Sequence, residues 1–355
     1  MVKHALEQLI AIQRTADRQY FQDGLFPSQR KYPVLKLSRP DDNVYFTAYI
    51  LHILKENREK WNSLDNAVEI ANAISKGEQA LQVYRHGKDN ISFNYYRKDG
   101  YFPNGKLLSK HQHFEPANDA DDSSVAFLGL DYDKATALQL QEKFAYHANG
   151  KRNRWVKRIP KAYRHFETYN TWLGTDRLYV DLDVGVLCNI LQFIAKYQLP
   201  QTPYEEQAVQ FLEKAILSGD YLKKAHLVAA WYPDHAIVVY FISRVVKTGY
   251  FTFAPAVLQQ LKKDTQQLHS TTSLPVQKML IETALYNLGL TPPKATVSLE
   301  AAQQQTNFSI GIIPIPHPWN SLWAQELGKL NSLRITYHSE ALQIALWLER
   351  AFLDL

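Results

Sequence analysis

The chain has 355 residues, with 40 Lys and Arg against 35 Asp and Glu, and its net charge of +5 is too mild to suggest a nucleic-acid surface. Hydrophobic residues make up 46% and charged residues 21%, enough material for a sizeable core. The single cysteine, Cys188, excludes an internal disulfide framework and a multi-thiolate metal site.

The charged N-terminus and the lack of a long apolar run point to a cytoplasmic protein without a transmembrane segment. Apolar residues recur at helical spacing along most of the chain and alternating strand patterns are rare, so the expected class is all-α. In chain order, an amphipathic segment at 2–18 precedes an apolar helix opening at Asp41 and Asp42. Further pairs follow: 64–85 with a helix opening at Asp119, 135–147 with Asp181, 203–217 with Asp234, 254–268 with Pro275, and 297–305 with His338. A helix apolar all round belongs inside, and its amphipathic partner outside. Pairs of this kind bury their faces by stacking on neighbours and can close into a ring. The expectation is one (α/α)6 barrel spanning 1–355, an α/α toroid of six inner and six outer helices with the acidic inner-helix starts at one mouth. An open superhelix and an irregular helical protein are the competing architectures.

Two long irregular stretches, 88–118 and 148–175, interrupt the pairs. The first holds His111, His113 and Glu115, which could bind a metal or tune the neighbouring acids but read better as a solvated loop. The second holds the basic run Lys151, Arg152, Arg154, Lys157, Arg158, Lys161 and Arg164, suited to phosphate oxygens or to a solvated face. The Pro-rich stretch from Ile313 to Trp319 is expected to run extended across a rim. There is no phosphate-cradling Gly loop, nucleophile elbow or dinucleotide fingerprint, and neither cofactor nor metal is expected.

The chemistry concentrates in Asp119, Asp121 and Asp122, which directly precede an apolar helix. One Asp suits an N-cap and a second the positive end of the helix dipole. A third is repelled by its neighbours. Crowding and burial both raise a carboxyl pKa, so such a cluster keeps a proton near neutral pH and can act as an acid. Asp41 with Asp42, Asp181 with Asp183, and Asp234 read individually as caps.

Asp119-Ala120-Asp121-Asp122 followed by Ser123-Ser124 resembles the Asp-x-Asp-Asp-Thr-Ala motif of class II terpene cyclases such as the squalene-hopene cyclases. The resemblance covers this short segment and the general helical pattern. It implies an α/α toroid and an isomerase acting on a small apolar, isoprenoid-like alkene, with Asp121 as Brønsted acid and Asp119 and Asp122 holding its proton. The chain has room for one barrel where the large triterpene cyclases use two, and it lacks their Gln-to-Trp repeats. A carbocation needs a dry cavity lined by π faces. Candidates are Tyr45, Tyr49, Phe127, Tyr169, Trp172, Trp231 and Tyr232, with Asp181, Asp234 and His338 as further substrate-binding residues. Tyr337-His338, read as opening the last inner helix, is similar to a segment of protein prenyltransferase β subunits whose His binds zinc. The helix from Pro275 lacks the Asp and Cys such a site needs. Two other readings stay open: a carbohydrate-active (α/α)6 enzyme, a glycoside hydrolase or lyase pairing Asp121 with Asp181 or Asp234, and a non-catalytic barrel binding a lipid or partner. Oligomeric state is not legible.

Overall fold

The computed structural model describes residues 1–86, 91–97, 118–174, 179–292, 294, 296–304, 326, 330 and 333–355. The described chain is mostly helical, as expected. Leaving aside helices of a single turn, the order is α1 (Val2–Thr15), α2 (Val44–Glu56), α3 (Ala67–Leu81), α4 (Ala120–Gly129), α5 (Lys134–Tyr146), α6 (Val184–Lys196), α7 (Pro203–Ser218), α8 (His235–Lys247), α9 (Pro255–Thr271), α10 (Pro275–Asn287), α11 (Leu299–Gln304) and α12 (Glu340–Phe352). Residues His111, His113 and Glu115 and the Pro-rich stretch at 313–319 lie outside the described residues.

Odd-numbered helices are amphipathic. α1 buries Ala5, Leu6, Leu9, Ile10 and Gln13, and α9 only Val257, Leu261 and Thr265, each set forming one stripe. Even-numbered helices are buried nearly all round: every residue from Val44 to Leu54 in α2, and from Val184 to Ala195 in α6. Buried helix starts need polar caps, and Asn43, Asp119, Asp183, Asp234 and Ser339 each accept backbone N–H groups of the first turn.

The even-numbered helices pack in sequence, α2 on α4, α4 on α6, α6 on α8, α8 on α10 and α10 on α12, and α12 packs back on α2. Of the odd-numbered helices, α3 packs on α2, α7 on α6, α9 on α8 and α10, α11 on α10 and α12, and α1 on α12. One hydrophobic core runs from Ala5 to Phe352. Where α4 crosses α2, a Cβ on Gly129 would overlap the Ala48 carbonyl, so this contact depends on glycine.

A small antiparallel sheet joins the early and late parts of the chain. Its strands β1 (Gln29–Tyr32), β2 (Leu37–Pro40) and β5 (Thr336–His338) lie in the order β2-β1-β5, with Arg30 opposite Tyr337; β3 (Arg85–His86) and β4 (Ser92–Phe93) form a separate pair. His338 therefore does not open the last inner helix. It pairs with Gln29 in β5, and α12 starts at Glu340 behind its cap Ser339. Among the described residues, no helix is long and apolar enough to cross a membrane.

Candidate active site

The starts of α2, α4 and α6 and the approach to α8 meet at one end. Asp119 caps α4 by accepting the Asp122 N–H at 2.6 Å. The segment before α6 is stitched over it: Ala120 N–H donates to the Thr171 carbonyl (2.7 Å), Leu173 N–H to Asn118 (2.9 Å), and Thr171 N–H to Asp181 (3.0 Å). These bonds hold Trp172 beside Asp119.

Asp121 is nearly buried in the first turn of α4. Its Oδ1 accepts from Asn189 Nδ2 on α6 at 2.7 Å, and its Oδ2 accepts from the Tyr232 hydroxyl. Burial, helped by the Asp119 charge, pushes the Asp121 carboxyl up to about 7, against the downward pull of its two donors. Burial also raises Asp119, to about 6, and lifts Asp122 well above the usual carboxylate range, where the Asp119 charge and a hydrogen bond to Asp119 hold its proton. Within the triplet Asp119 and Asp122 are hydrogen-bonded to each other, while Asp121 takes its two donors from other elements and feels Asp119 through its charge, which favours the protonated Asp121.

Tyr232 reaches Asp121 because α6 presents glycine beneath it: a Cβ on Gly185 would overlap the Tyr232 ring. Its ring packs on Phe241 (5.0 Å between centroids) and Tyr45 (6.1 Å). The Tyr45 hydroxyl and Asn189 Oδ1 are buried beside this cluster, in loose polar contact with each other and with the Tyr232 hydroxyl and short of well-aligned hydrogen bonds.

A second pair of carboxylates adjoins it. Asp183 caps α6 through Gly185 N–H (2.7 Å) and Val186 N–H (3.2 Å) and accepts Trp231 N–H at 2.8 Å, while Trp231 Nε1 donates to Asp181 at 2.7 Å. Burial raises Asp181 to about 6 and Asp183 to about 8. Trp172 and Trp231 meet edge to face at 5.4 Å. Asp41, at the start of α2, is also raised by burial and accepts from Asn43, Tyr95 and Tyr96, with Arg30 Nε at 3.6 Å.

Of the residues expected from sequence, Asp119, Asp121, Asp122, Tyr45, Trp172, Trp231, Tyr232 and Asp181 come together here. Tyr49 lies one turn deeper, stacked on Tyr45, with its hydroxyl donating to Tyr240 at 3.3 Å. Phe127 and Tyr169 are placed elsewhere. Phe127 packs among Phe93, Tyr132, Phe193 and Tyr197, and Tyr169 donates to Glu205 on α7 and packs on Phe144. Both are large apolar bodies serving the core. The basic run disperses: Lys151 lies over Tyr204, Arg152 over Tyr146, and buried Arg158 over Tyr179 near Asp181. Asp234 caps α8 and lines an open cavity of about 740 Å³ that excludes the Asp119–Asp122 triplet. His338 is half-buried in β5, where burial lowers it to about 4.

Sequence reasoning missed Asn189, Tyr95 and Tyr96. Asn189 carried a readable signal, a lone amide in the otherwise apolar start of α6, since a buried amide demands partners. Among the described residues, no group of three or more His, Cys, Asp or Glu is arranged to hold a metal ion. Compared with protein-family models, curated proteins and solved structures, the chain matches none.

Proposed function

We propose that the twelve helices form a single (α/α)6 toroid whose mouth carries Asp121 as the Brønsted acid of a cytoplasmic, cofactor-independent isomerase acting on an isoprenoid-like alkene. The observation that carries this reading is the Asp121 carboxyl poised at about 7 between two neutral donors. A group at that value is protonated in about half of the molecules at neutral pH, where an ordinary carboxyl has almost none. When the proton leaves, the Tyr232 hydroxyl and the Asn189 amide already point at the carboxylate, and donors strengthen as charge develops, so the transition state gains more than the ground state. A cation formed beside Asp121 would face the rings of Tyr45, Tyr232 and Trp231 and the negative charges of the neighbouring carboxylates.

A second reading is favoured by one specific observation. The deeper space between the even-numbered helices is filled by buried Tyr49, Tyr240, Phe241 and Arg244, whereas the described cavity is open and lined by Asp234, Gln277 and several cations. A carbohydrate-active enzyme pairing Asp121 with Asp181 or Asp234 draws its support from the filled interior and from the neighbouring carboxylates, since the open cavity itself excludes Asp121 and Asp181.

Incubation with prenyl diphosphates, squalene and oligosaccharides, with products read by mass spectrometry, separates the two. The expected result is a rearranged isoprenoid whose formation falls roughly 10²- to 10⁴-fold in Asp121→Asn, the range a general acid supplies, while circular dichroism stays unchanged. Cleaved oligosaccharide would transfer the site to the second reading. Turnover retained in a folded Asp121→Asn would remove Asp121 from the chemistry.

A further inference from the structure

The open cavity of about 740 Å³ is built from β1, the β1–β2 connection, the residues before α8, the start of α10 and the approach to β5. Its size suits a small molecule. Arg334 lines it and is only 7% exposed, yet among the described residues it has neither a hydrogen-bond partner nor a carboxylate within ion-pair reach. Burying an unpaired guanidinium is costly, and a protein that keeps one leaves five donors in a fixed fork facing the void. Lys31, Lys36 and Lys223 line the same cavity, likewise without an ion-pair partner among the described residues.

The one carboxylate in the lining is committed elsewhere. Asp234 Oδ1 accepts the Ala236 and Ile237 N–H groups of α8, and its Oδ2 accepts from Gln277 Nε2 at 2.5 Å. It acts on Arg334 only at longer range. The cavity also receives the N-terminus of α10, a 13-residue helix, through Leu274 and Gln277. The helix dipole adds partial positive charge on the same side.

We propose that this cavity binds a phosphorylated small molecule, with the Arg334 fork gripping phosphate oxygens and Lys31, Lys36 and Lys223 surrounding the charge. Four permanent cations around one committed carboxylate exceed what a single carboxylate ligand would neutralise and match a group carrying two or more negative charges. The site is separate from Asp121 and does not depend on what Asp121 does.

Titration of the full chain with inorganic pyrophosphate, inorganic phosphate and succinate, by calorimetry and thermal shift at fixed ionic strength, tests this. Pyrophosphate is expected to bind saturably and raise the melting temperature, with phosphate weaker and succinate weaker still. Arg334→Gln should weaken pyrophosphate binding roughly tenfold or more, while its melting temperature without ligand stays equal or rises, because an unpaired buried charge has been removed. Lys36→Gln combined with Lys223→Gln changes exposed side chains only. It should weaken binding and flatten its salt dependence, and it keeps the test valid if Arg334→Gln does not fold. Absence of saturable pyrophosphate binding, unchanged binding in folded variants, or succinate binding as tightly as pyrophosphate would each overturn the proposal.

Discussion

The two ends of the even-numbered helices treat charge in opposite ways. At their last turns, Arg244 of α8 donates to Glu349 of α12, to Glu56 and His52 of α2 (2.5 and 2.6 Å) and to Gln192 of α6 (2.8 Å), and Tyr240 donates to Glu349 at 2.5 Å. Burial pushes Glu56 up, but the Arg244 charge with His52 and Lys247 outweighs it and holds the carboxyl down at about 2. At the first turns, Asp119, Asp121, Asp122, Asp181 and Asp183 are buried where Glu56 is exposed, their hydrogen-bond donors are neutral, and all five are raised. A cation in hydrogen-bond contact, weighed against the depth of burial, decides the outcome: exposed Glu56 bonded to Arg244 becomes a fixed charge, whereas buried Asp41 stays raised even with Arg30 at 3.6 Å.

The sharpest way to break the contrast is to remove the cation. Arg244→Ala strands Glu349 among buried groups and should cost about 3–5 kcal/mol, read as a lower denaturation midpoint; an unchanged midpoint would show that the network is dispensable. The mouth should respond to pH rather than to truncation. Its carboxyls have folded pKa values above their unfolded ones, so their contribution to stability is fully present below about 4 and is lost as pH rises through about 6 to 8. Melting temperature should fall from pH 5 to pH 8. Asp121→Asn, which cannot ionise, should recover roughly 2–4 kcal/mol of the loss at pH 8. A profile equally steep in both proteins would count against a raised Asp121.

Gly185→Ala probes the same end sterically. The added methyl overlaps the Tyr232 ring, which must leave Asp121 or distort α6. Overpacking of this kind costs about 1–3 kcal/mol. Loss of stability with the Asp121 titration unchanged would mean that Tyr232 keeps its place.

Helices were legible because each even-numbered one is largely apolar all round and all but α10 open on a polar cap, two signals that depend on local sequence alone. β5 was not, because Thr336–His338 acquires its conformation from Gln29–Lys31, some three hundred residues earlier in the chain, and Tyr337-His338 in isolation looks like a helix start. The acids were legible as a cluster. The different partners of its members were not, since the two donors to Asp121, Asn189 and Tyr232, come from other elements. Aromatic content could not separate Phe127 and Tyr169 from Tyr45 and Tyr232. All four are large amphipathic or apolar bodies, and only the direction each faces tells core from site. Arg334 gave no sequence signal because its meaning lies in the partners it lacks among the described residues.

The smallest expected effect is also the most specific. Tyr232→Phe keeps the ring that packs on Tyr45 and Phe241 and deletes only the hydroxyl that donates to Asp121, so the stability cost should be about 1 kcal/mol. Its effect on titration has a definite sign. Tyr232 favours the ionised carboxylate and pulls Asp121 down, so its removal raises the Asp121 pKa. If Asp121 must be protonated to act, the fall in activity on the alkaline side should move to higher pH, even though the rate at low pH drops because the developing carboxylate has lost a donor. A purely structural tyrosine would lower activity at every pH by the same factor. A pH–rate profile of the variant whose alkaline limb stays in place would therefore separate Tyr232 from the acid.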